Sequence, residues 1–116
     1  MIAFTKMRLP NGDRAVVEVE KLRDYCLSPH HPRGRHKARL FASALGLRQA
    51  DAELLRQAIL GAARDGEASP GINDEYGQRF VLDFVIRNQG RHATIRSAWI
   101  IPAGSELPKL TTCFVL

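Results

Sequence analysis

Apolar positions in the first two thirds of the chain recur every three or four residues, which is the spacing of amphipathic helices. Val19, Leu22 and Cys26 share the first such face, and Pro29 ends it because proline disfavours helical backbone in the residue before it. A later apolar stripe is rich in alanine, which allows close packing against a neighbouring element. The pattern predicts three helices, over residues 19–27, 35–44 and 49–64.

From residue 76 the apolar period changes from helical to two, the period of a half-buried β-strand. Phe80, Leu82 and Phe84 point to one side of such a strand, and Arg79 and Asp83 point to the other. Turn residues separate the alternating segments from one another. The pattern therefore predicts an antiparallel meander of three strands, over residues 76–86, 91–101 and 109–115.

The N-terminal segment contains the turn signal Pro10–Asp13 between two short segments of strand character. We expect residues 4–7 to pair with residues 14–18 as a small hairpin, and residues 66–74, which include a Pro-Gly pair, to form a loop. Helices followed by strands indicate an α+β fold. The sequence thus predicts a single domain over 1–116 with an N-terminal short strand or hairpin, three helices and a three-stranded antiparallel sheet.

Composition is that of an ordinary globular domain, with 45% apolar residues among 116. No apolar run is long enough to span a bilayer and the N-terminus lacks the apolar core of a secretory signal, so we expect a cytoplasmic protein without a membrane partner. Cys26 and Cys113 lack a CxxC spacing and lie in apolar stretches, which predicts buried free thiols. No metal site and no cofactor is expected.

The densest cluster of potential chemistry lies in residues 27–39, where basic side chains and histidines occur without any acid. Two prolines and Gly34 shape this segment into a loop that leads into the predicted second helix, a geometry that suits phosphate. With a net charge of +5, the chain is expected to bind a polyanion, and nucleic acid is the first candidate. The alternative is a solvated basic loop that only starts a helix. The cluster comprises Arg33, Arg35, Lys37, Arg39, His30, His31 and His36.

Short motifs along most of the chain carry a family resemblance. They are Lys21-Leu-Arg-Asp-Tyr-Cys-Leu27, His31-Pro-Arg-Gly34, Lys37-Ala-Arg39, Tyr76-Gly77, Asp83-Phe84, Arg96-Ser-Ala-Trp-Ile100 and Pro108-Lys-Leu-Thr-Thr-Cys113. With them, the chain resembles a widespread uncharacterised bacterial domain family, found alone or at the C-terminal ends of toxin-like and phage-associated proteins. The order of elements is also similar to that of the barnase/EndoU/colicin/RelE nuclease superfold.

This resemblance implies a metal-independent endoribonuclease toxin of a toxin–antitoxin type system, with RNA and a small acidic cognate antitoxin as partners. In that superfold the 2′-hydroxyl of RNA cuts its own strand, which requires a proton acceptor, a proton donor and a cation. Histidine suits the proton roles, and arginine suits the phosphate. Two alternatives stay open: a non-catalytic interaction module that docks an acidic partner protein, and a nucleic-acid-binding domain without cleavage.

The predicted site lies in a cleft between the second helix and the polar face of the sheet. His31 is the predicted proton carrier, and Lys37 and Arg96 complete the predicted catalytic set. His31 could instead cap a backbone group, Arg39 could form an ion pair with an acid such as Asp83, and the charges of the sheet could simply be solvent-exposed. The residues predicted to bind phosphate or RNA are Arg33, Arg35, Arg39, Arg79 and Thr112.

Overall fold

The computed structural model describes residues 6–116, which form one antiparallel sheet packed against helices. The helices are α1 (Val19–Lys21), which continues as a π-helical segment (Leu22–Cys26), α2 (Arg35–Leu45) and α3 (Ala52–Asp65), with 3₁₀ turns at Gly12–Arg14 and Gln49–Asp51. The strands are β1 (Met7–Arg8), β2 (Glu67–Asp74), β3 (Gly77–Asn88), β4 (Arg91–Pro102) and β5 (Lys109–Val115). They lie in the order β1-β2-β3-β4-β5. Within this described part of the chain, no helix has the length and apolarity needed to cross a membrane.

The strand register sorts side chains onto two faces of the sheet. Phe80 pairs with Trp99 on the inner face, which packs against the helices, and both side chains are buried. Asp83 pairs with Arg96 on the outer face, where Asp83 is exposed and Arg96 is half-buried. Because side chains alternate along a strand, the predicted alternation of apolar and charged positions is confirmed in β3 and β4.

The core lies between the inner face of the sheet and the apolar faces of α2 and α3. Helix α2 contributes Phe41 and Leu45, which are fully buried. It ends at Gly46, where the backbone is left-handed (φ 68°) and the Gly46 N–H bonds to the carbonyl of Ala42. The predicted helix stop at Gly46 is therefore confirmed, and it fixes the end of the helix that carries most of the basic cluster.

The prediction of three strands is wrong, because the sheet has five strands within residues 6–116. The α+β class and the three helices are confirmed. The sequence predicts a loop in residues 66–74 because Pro70 and Gly71 are typical of loops, but the structure forms strand β2 there. The register between β2 and β3 shifts between Pro70 and Asn73, and such an irregularity lets a strand near the sheet edge hold proline and glycine.

The predicted N-terminal hairpin is also wrong in the residues that the structure describes. Met7 pairs with Ala68 of β2, which lies 61 positions later in the chain. Strand β1 therefore does not pair with the segment across the local turn. Of the segment 14–18, Val16 forms an isolated parallel bridge with Lys109. Residues 4 and 5 of the predicted hairpin lie outside the described residues. Burial of Leu9 and Val17 in the core draws this segment away from local pairing.

Candidate nucleic-acid interface

The loop before α2 is held in shape by the imidazole of His31. Its Nδ1 accepts hydrogen bonds from the backbone N–H groups of Arg33 (3.0 Å) and Gly34 (3.1 Å). The Arg35 N–H in turn donates to the His31 carbonyl at 2.9 Å. Since Nδ1 acts as an acceptor, the ring hydrogen of neutral His31 lies on Nε2. His31 therefore caps the loop, as the alternative interpretation expects, and it presents an N–H donor.

This cap bears directly on the predicted proton-carrier role. To accept a proton at Nε2, the ring must place its other hydrogen on Nδ1, where the N–H groups of Arg33 and Gly34 already point. Protonation would thus break both loop hydrogen bonds. In this conformation His31 is suited to hold an anion through Nε2–H, and its role in proton transfer stays a prediction.

Gly34 locks the same loop onto the π-helical segment. A β-carbon at position 34 would collide with the carbonyl oxygen of Tyr25, so only glycine permits this close approach. The contact brings the imidazole of His31 against the ring of Tyr25, with an edge-to-face geometry and a 4.7 Å centroid separation. The loop and the π-helical segment are therefore one packed unit.

Lys37 completes this unit from the first turn of α2. Its Nζ donates to the Tyr25 hydroxyl oxygen at 3.0 Å and lies 4.8 Å from the centroid of the Tyr25 ring and 6.0 Å from that of Phe114. His31, Tyr25 and Lys37 are all half-buried. No carboxylate of the described residues lies within 4.0 Å of Lys37 Nζ. We call Tyr25, His31, Lys37 and Phe114 the aromatic–lysine cluster.

The sequence pattern does not mark Tyr25 and Phe114 as site residues. Tyr25 follows the helical spacing of core residues, and Phe114 lies in a strand, so packing explains both patterns. The available signal for Tyr25 was its combination of an apolar ring with a hydroxyl, because a buried tyrosine usually hydrogen-bonds its hydroxyl to a partner. Its partner lies 12 residues away on another element, and spacing along the chain does not reveal such a contact.

Arg35 and Arg39 lie on the other flank of α2, because each is two residues, or about 200°, from Lys37 around the helix. Both line a groove of about 670 Å³ between α2 and the 3₁₀ turn at Gln49–Asp51. Arg48 lines the same groove from the opposite wall. The structure thus brings Arg35 and Arg39 together, but it separates them from Lys37.

The basic residues around α2 share one electrostatic property. None of the six ion pairs found among residues 6–116 includes any of them. The loop residue Arg33 is exposed, as are the groove arginines. We call this set the α2 basic patch: Arg33, Arg35, Lys37, Arg39 and Arg48.

Arg96, by contrast, is bonded to an acid on the outer face of the sheet. Its Nε and Nη2 each donate to an Asp83 carboxylate oxygen at 2.9 Å. This hydrogen-bonded ion pair lowers the pKa of Asp83 and raises that of Arg96. Phe114 pairs with Arg96 in strand register, and its ring centroid lies 6.0 Å from Lys37 Nζ. Arg96 would have to exchange Asp83 for a phosphate before it could act on one.

The predicted cleft between the second helix and the polar face of the sheet does not form, because α2 packs on the inner, apolar face. Arg79, on the outer face, forms an ion pair with Asp74 at 2.7 Å. That hydrogen bond lowers the pKa of Asp74. Arg79 is therefore neutralised locally and lies apart from the α2 basic patch.

Thr112 does not present its hydroxyl to solvent. Its Oγ1 is buried and has no hydrogen-bond partner among residues 6–116, so the oxygen does not reach a surface phosphate in this conformation. Nearby, Cys26 and Cys113 are buried free thiols, as predicted. A hydrogen bond from the Cys113 thiol, with a smaller contribution from the Lys37 ammonium, lowers the pKa of Cys26 to about 7. The described residues contain no cluster of three or more His, Cys, Asp or Glu side chains that could hold a metal ion.

Comparison with known proteins places the chain in a family without assigning an activity. No curated protein and no solved structure matches the chain. The similarity in layout to the nuclease superfold therefore stays a prediction. Residues 8–116 match one family model over most of the chain. The chain belongs to the family described as a domain of unknown function, DUF6883.

Proposed function

We propose that this domain binds the phosphodiester backbone of RNA along the α2 basic patch. The observation that carries the proposal is that five cations surround one helix and none of their charged side-chain nitrogens has a carboxylate within 4.0 Å among the described residues. Like charges at such spacing destabilise a helix slightly, and a bound polyanion removes that cost and releases counterions.

The shape of the loop supports the same proposal. Nε2–H of His31 and the guanidinium groups of Arg33 and Arg35 are donors on or next to one rigid loop. Arginine matches the geometry of phosphate oxygens and stays charged at any physiological pH. A strand that passes from the loop onto the flank of α2 that carries Arg35 and Arg39 would meet these donors without opening an existing ion pair.

Cleavage of the bound RNA is a second candidate, favoured by the contact between Lys37 Nζ and the Tyr25 hydroxyl. In this reaction the 2′-oxygen bonds to phosphorus, and the bond between phosphorus and the 5′-oxygen breaks. Tyr25 donates its hydroxyl proton to the leaving 5′-oxygen and regains one from Lys37, while the 2′-hydroxyl proton passes to water. Nε2–H of His31 would stabilise charge on the non-bridging oxygens.

The two proposals are tested in one experiment. Labelled single-stranded RNA is incubated with the protein in EDTA, and binding and cleavage are followed at several salt concentrations. Replacing Arg35 and Arg39 by glutamine should lower the salt slope by about 1.4, since each phosphate contact on a single strand contributes about 0.7. The matched control replaces Arg14 and Arg87, which are exposed and outside the six ion pairs, and should leave the slope unchanged. An equal effect of both double variants would refute a site on α2.

Cleavage has its own controls. Tyr25→Phe should reduce the formation of 2′,3′-cyclic phosphate ends about 100-fold or more and leave affinity unchanged, because it removes the hydroxyl that supplies the proton and keeps the ring that packs against His31 and Lys37. Tyr76→Phe, at an exposed tyrosine before β3, should cleave like the wild type. RNA that is bound but never cut removes the nuclease candidate and leaves the binding proposal intact.

An acidic cognate antitoxin would meet the same charges, and this partner stays a prediction. If an excess of RNA fails to displace an acidic protein partner from the α2 basic patch, the patch serves protein recognition instead. Membership of a toxin–antitoxin type system is tested by growth after induced expression, with Tyr25→Phe as the inactive control.

A further inference from the structure

The groove beside α2 has a lining that phosphate alone does not require. Its floor includes Ala38 and Ala42, which lie one turn apart on α2 and leave space above the helix. The remaining lining residues from both walls are Leu27, Pro29, Ser43, Leu47, Gln49 and Ala50, together with the three arginines. The groove thus combines an apolar floor with a cationic edge.

The charges of the groove come from two separate elements. Arg35 and Arg39 lie one helical turn apart on α2, so their side chains can meet the same ligand. Arg48 belongs to the segment that begins the 3₁₀ turn, and its backbone N–H is held by Asp51 at 2.9 Å. None of these three guanidinium groups takes part in any of the six ion pairs within residues 6–116.

The dimensions of the groove suit a ligand larger than an inorganic anion. About 670 Å³ falls within the range of about 300–1,000 Å³ in which sites for small organic ligands lie. The Gln49 amide nitrogen donates to the Arg23 carbonyl at 2.9 Å, which ties this wall of the groove to the π-helical segment.

We propose that this groove holds one nucleotide of the bound RNA, with its phosphate at Arg35, Arg39 and Arg48 and its base on the apolar floor formed by Ala38 and Ala42. This inference rests on the proposed RNA binding and specifies where one unit of the strand lies. A flat base packs on small apolar side chains, whereas an acidic peptide would leave that floor in contact with flexible carboxylate side chains. The apolar floor therefore favours a nucleotide over a peptide.

Floor and edge can be tested separately. Ala42→Leu fills the half-buried floor without any change of charge, and Ala50→Leu does so from the exposed opposite wall. Binding of adenosine 5′-monophosphate, inorganic phosphate, adenosine and an acidic hexapeptide is measured by calorimetry, with thermal unfolding as the control for folding. The same variants are titrated with labelled RNA.

The expected results differ between ligands. The monophosphate should bind at least about tenfold more tightly than phosphate or adenosine, since only it meets both floor and edge. Ala42→Leu or Ala50→Leu should weaken monophosphate and RNA about tenfold and leave phosphate unchanged, whereas Arg39→Gln should weaken monophosphate and phosphate alike.

Four outcomes overturn the inference. Equal affinity for monophosphate and phosphate would leave the floor without a role, and tighter binding of the acidic hexapeptide would assign the groove to a protein partner. RNA that binds the wild type and both leucine variants equally would refute the groove as a nucleotide site while the binding proposal stands. If RNA fails to bind the wild type at all, the proposed function and this inference fall together.

Discussion

Two basic regions of this domain differ in whether their charges have acidic partners. On the outer face of the sheet, Arg96 bonds to Asp83 and Arg79 to Asp74. Around α2, the described residues provide no acid within ion-pair distance of the basic patch. The sheet arginines therefore have a structural explanation, while the patch on α2 carries a repulsion that the fold itself does not relieve.

The contrast follows from how each element arranges its residues. Adjacent strands place Asp83 directly opposite Arg96, although the two are 13 positions apart along the chain. In α2 and its loop, basic residues follow one another at every second position from Arg33 to Arg39. An acid could reach them only from another element, and the neighbouring elements supply aromatic rings and alanines instead.

Reversing charge in the groove should have the largest effect. Arg35→Glu with Arg39→Glu should weaken RNA binding about 100-fold or more in a filter-binding titration at low salt, since two attractive contacts become repulsive. Replacing the sheet pair Arg79 and Arg96 by glutamine should change affinity less than about threefold. Comparable losses in both variants would erase the distinction between the two regions.

Gly34→Ala should disrupt the loop that presents the patch. The added methyl group collides with the Tyr25 carbonyl, so we expect the free energy of unfolding to fall by about 2 kcal/mol in urea titrations. Gly61→Ala, within α3 and with no close neighbour, is the matched control and should be neutral or stabilising by up to about 1 kcal/mol. Equal stability of both variants would show that the loop does not pack on the π-helical segment as described.

Removing the two acids that pair with the sheet arginines should create a second basic patch on the outer face of the sheet. Asp74→Asn with Asp83→Asn frees Arg79 and Arg96, and RNA affinity at low salt should rise about threefold, an effect that higher salt removes. No gain would mean that the strand follows a path on α2 that is too distant from the outer face for these charges to matter.

The smallest effect is expected on the stability of the protein at acidic pH, and it concerns only an ion pair of the sheet. Because the folded-state pKa of Asp83 is lowered by Arg96, the pair stabilises the protein above the unfolded-state value of about 3.9 and loses this contribution as pH falls through the folded-state pKa. Thermal unfolding followed from pH 5 downwards should thus show a shallower decline for Asp83→Asn. The exposure of the pair keeps the difference small, and identical curves would indicate no net stabilisation by this pair.

Much of the architecture follows from local pattern. The spacing of apolar residues predicts α2 and α3 almost to their ends and β5 over its full length, because period and capping act within a few residues. Strand β2 escapes prediction because Pro70 and Gly71 resemble a loop and only pairing with β3 and β1 makes the segment a strand. The same holds for the candidate site. The sequence shows the density of basic residues around α2, but it does not show which residues they contact.

The sequence by itself determined the helical and strand periods, the helix stop at Gly46 and the acid-free run of cations that enters α2. Only the tertiary structure decided that Tyr25 meets Lys37, that His31 caps its own loop, and that Arg96 turns away to Asp83. The reason is that period and charge density are properties of neighbours along the chain. Partner choice depends on which faces the packed core brings together, and that core is assembled from contacts between residues far apart in sequence.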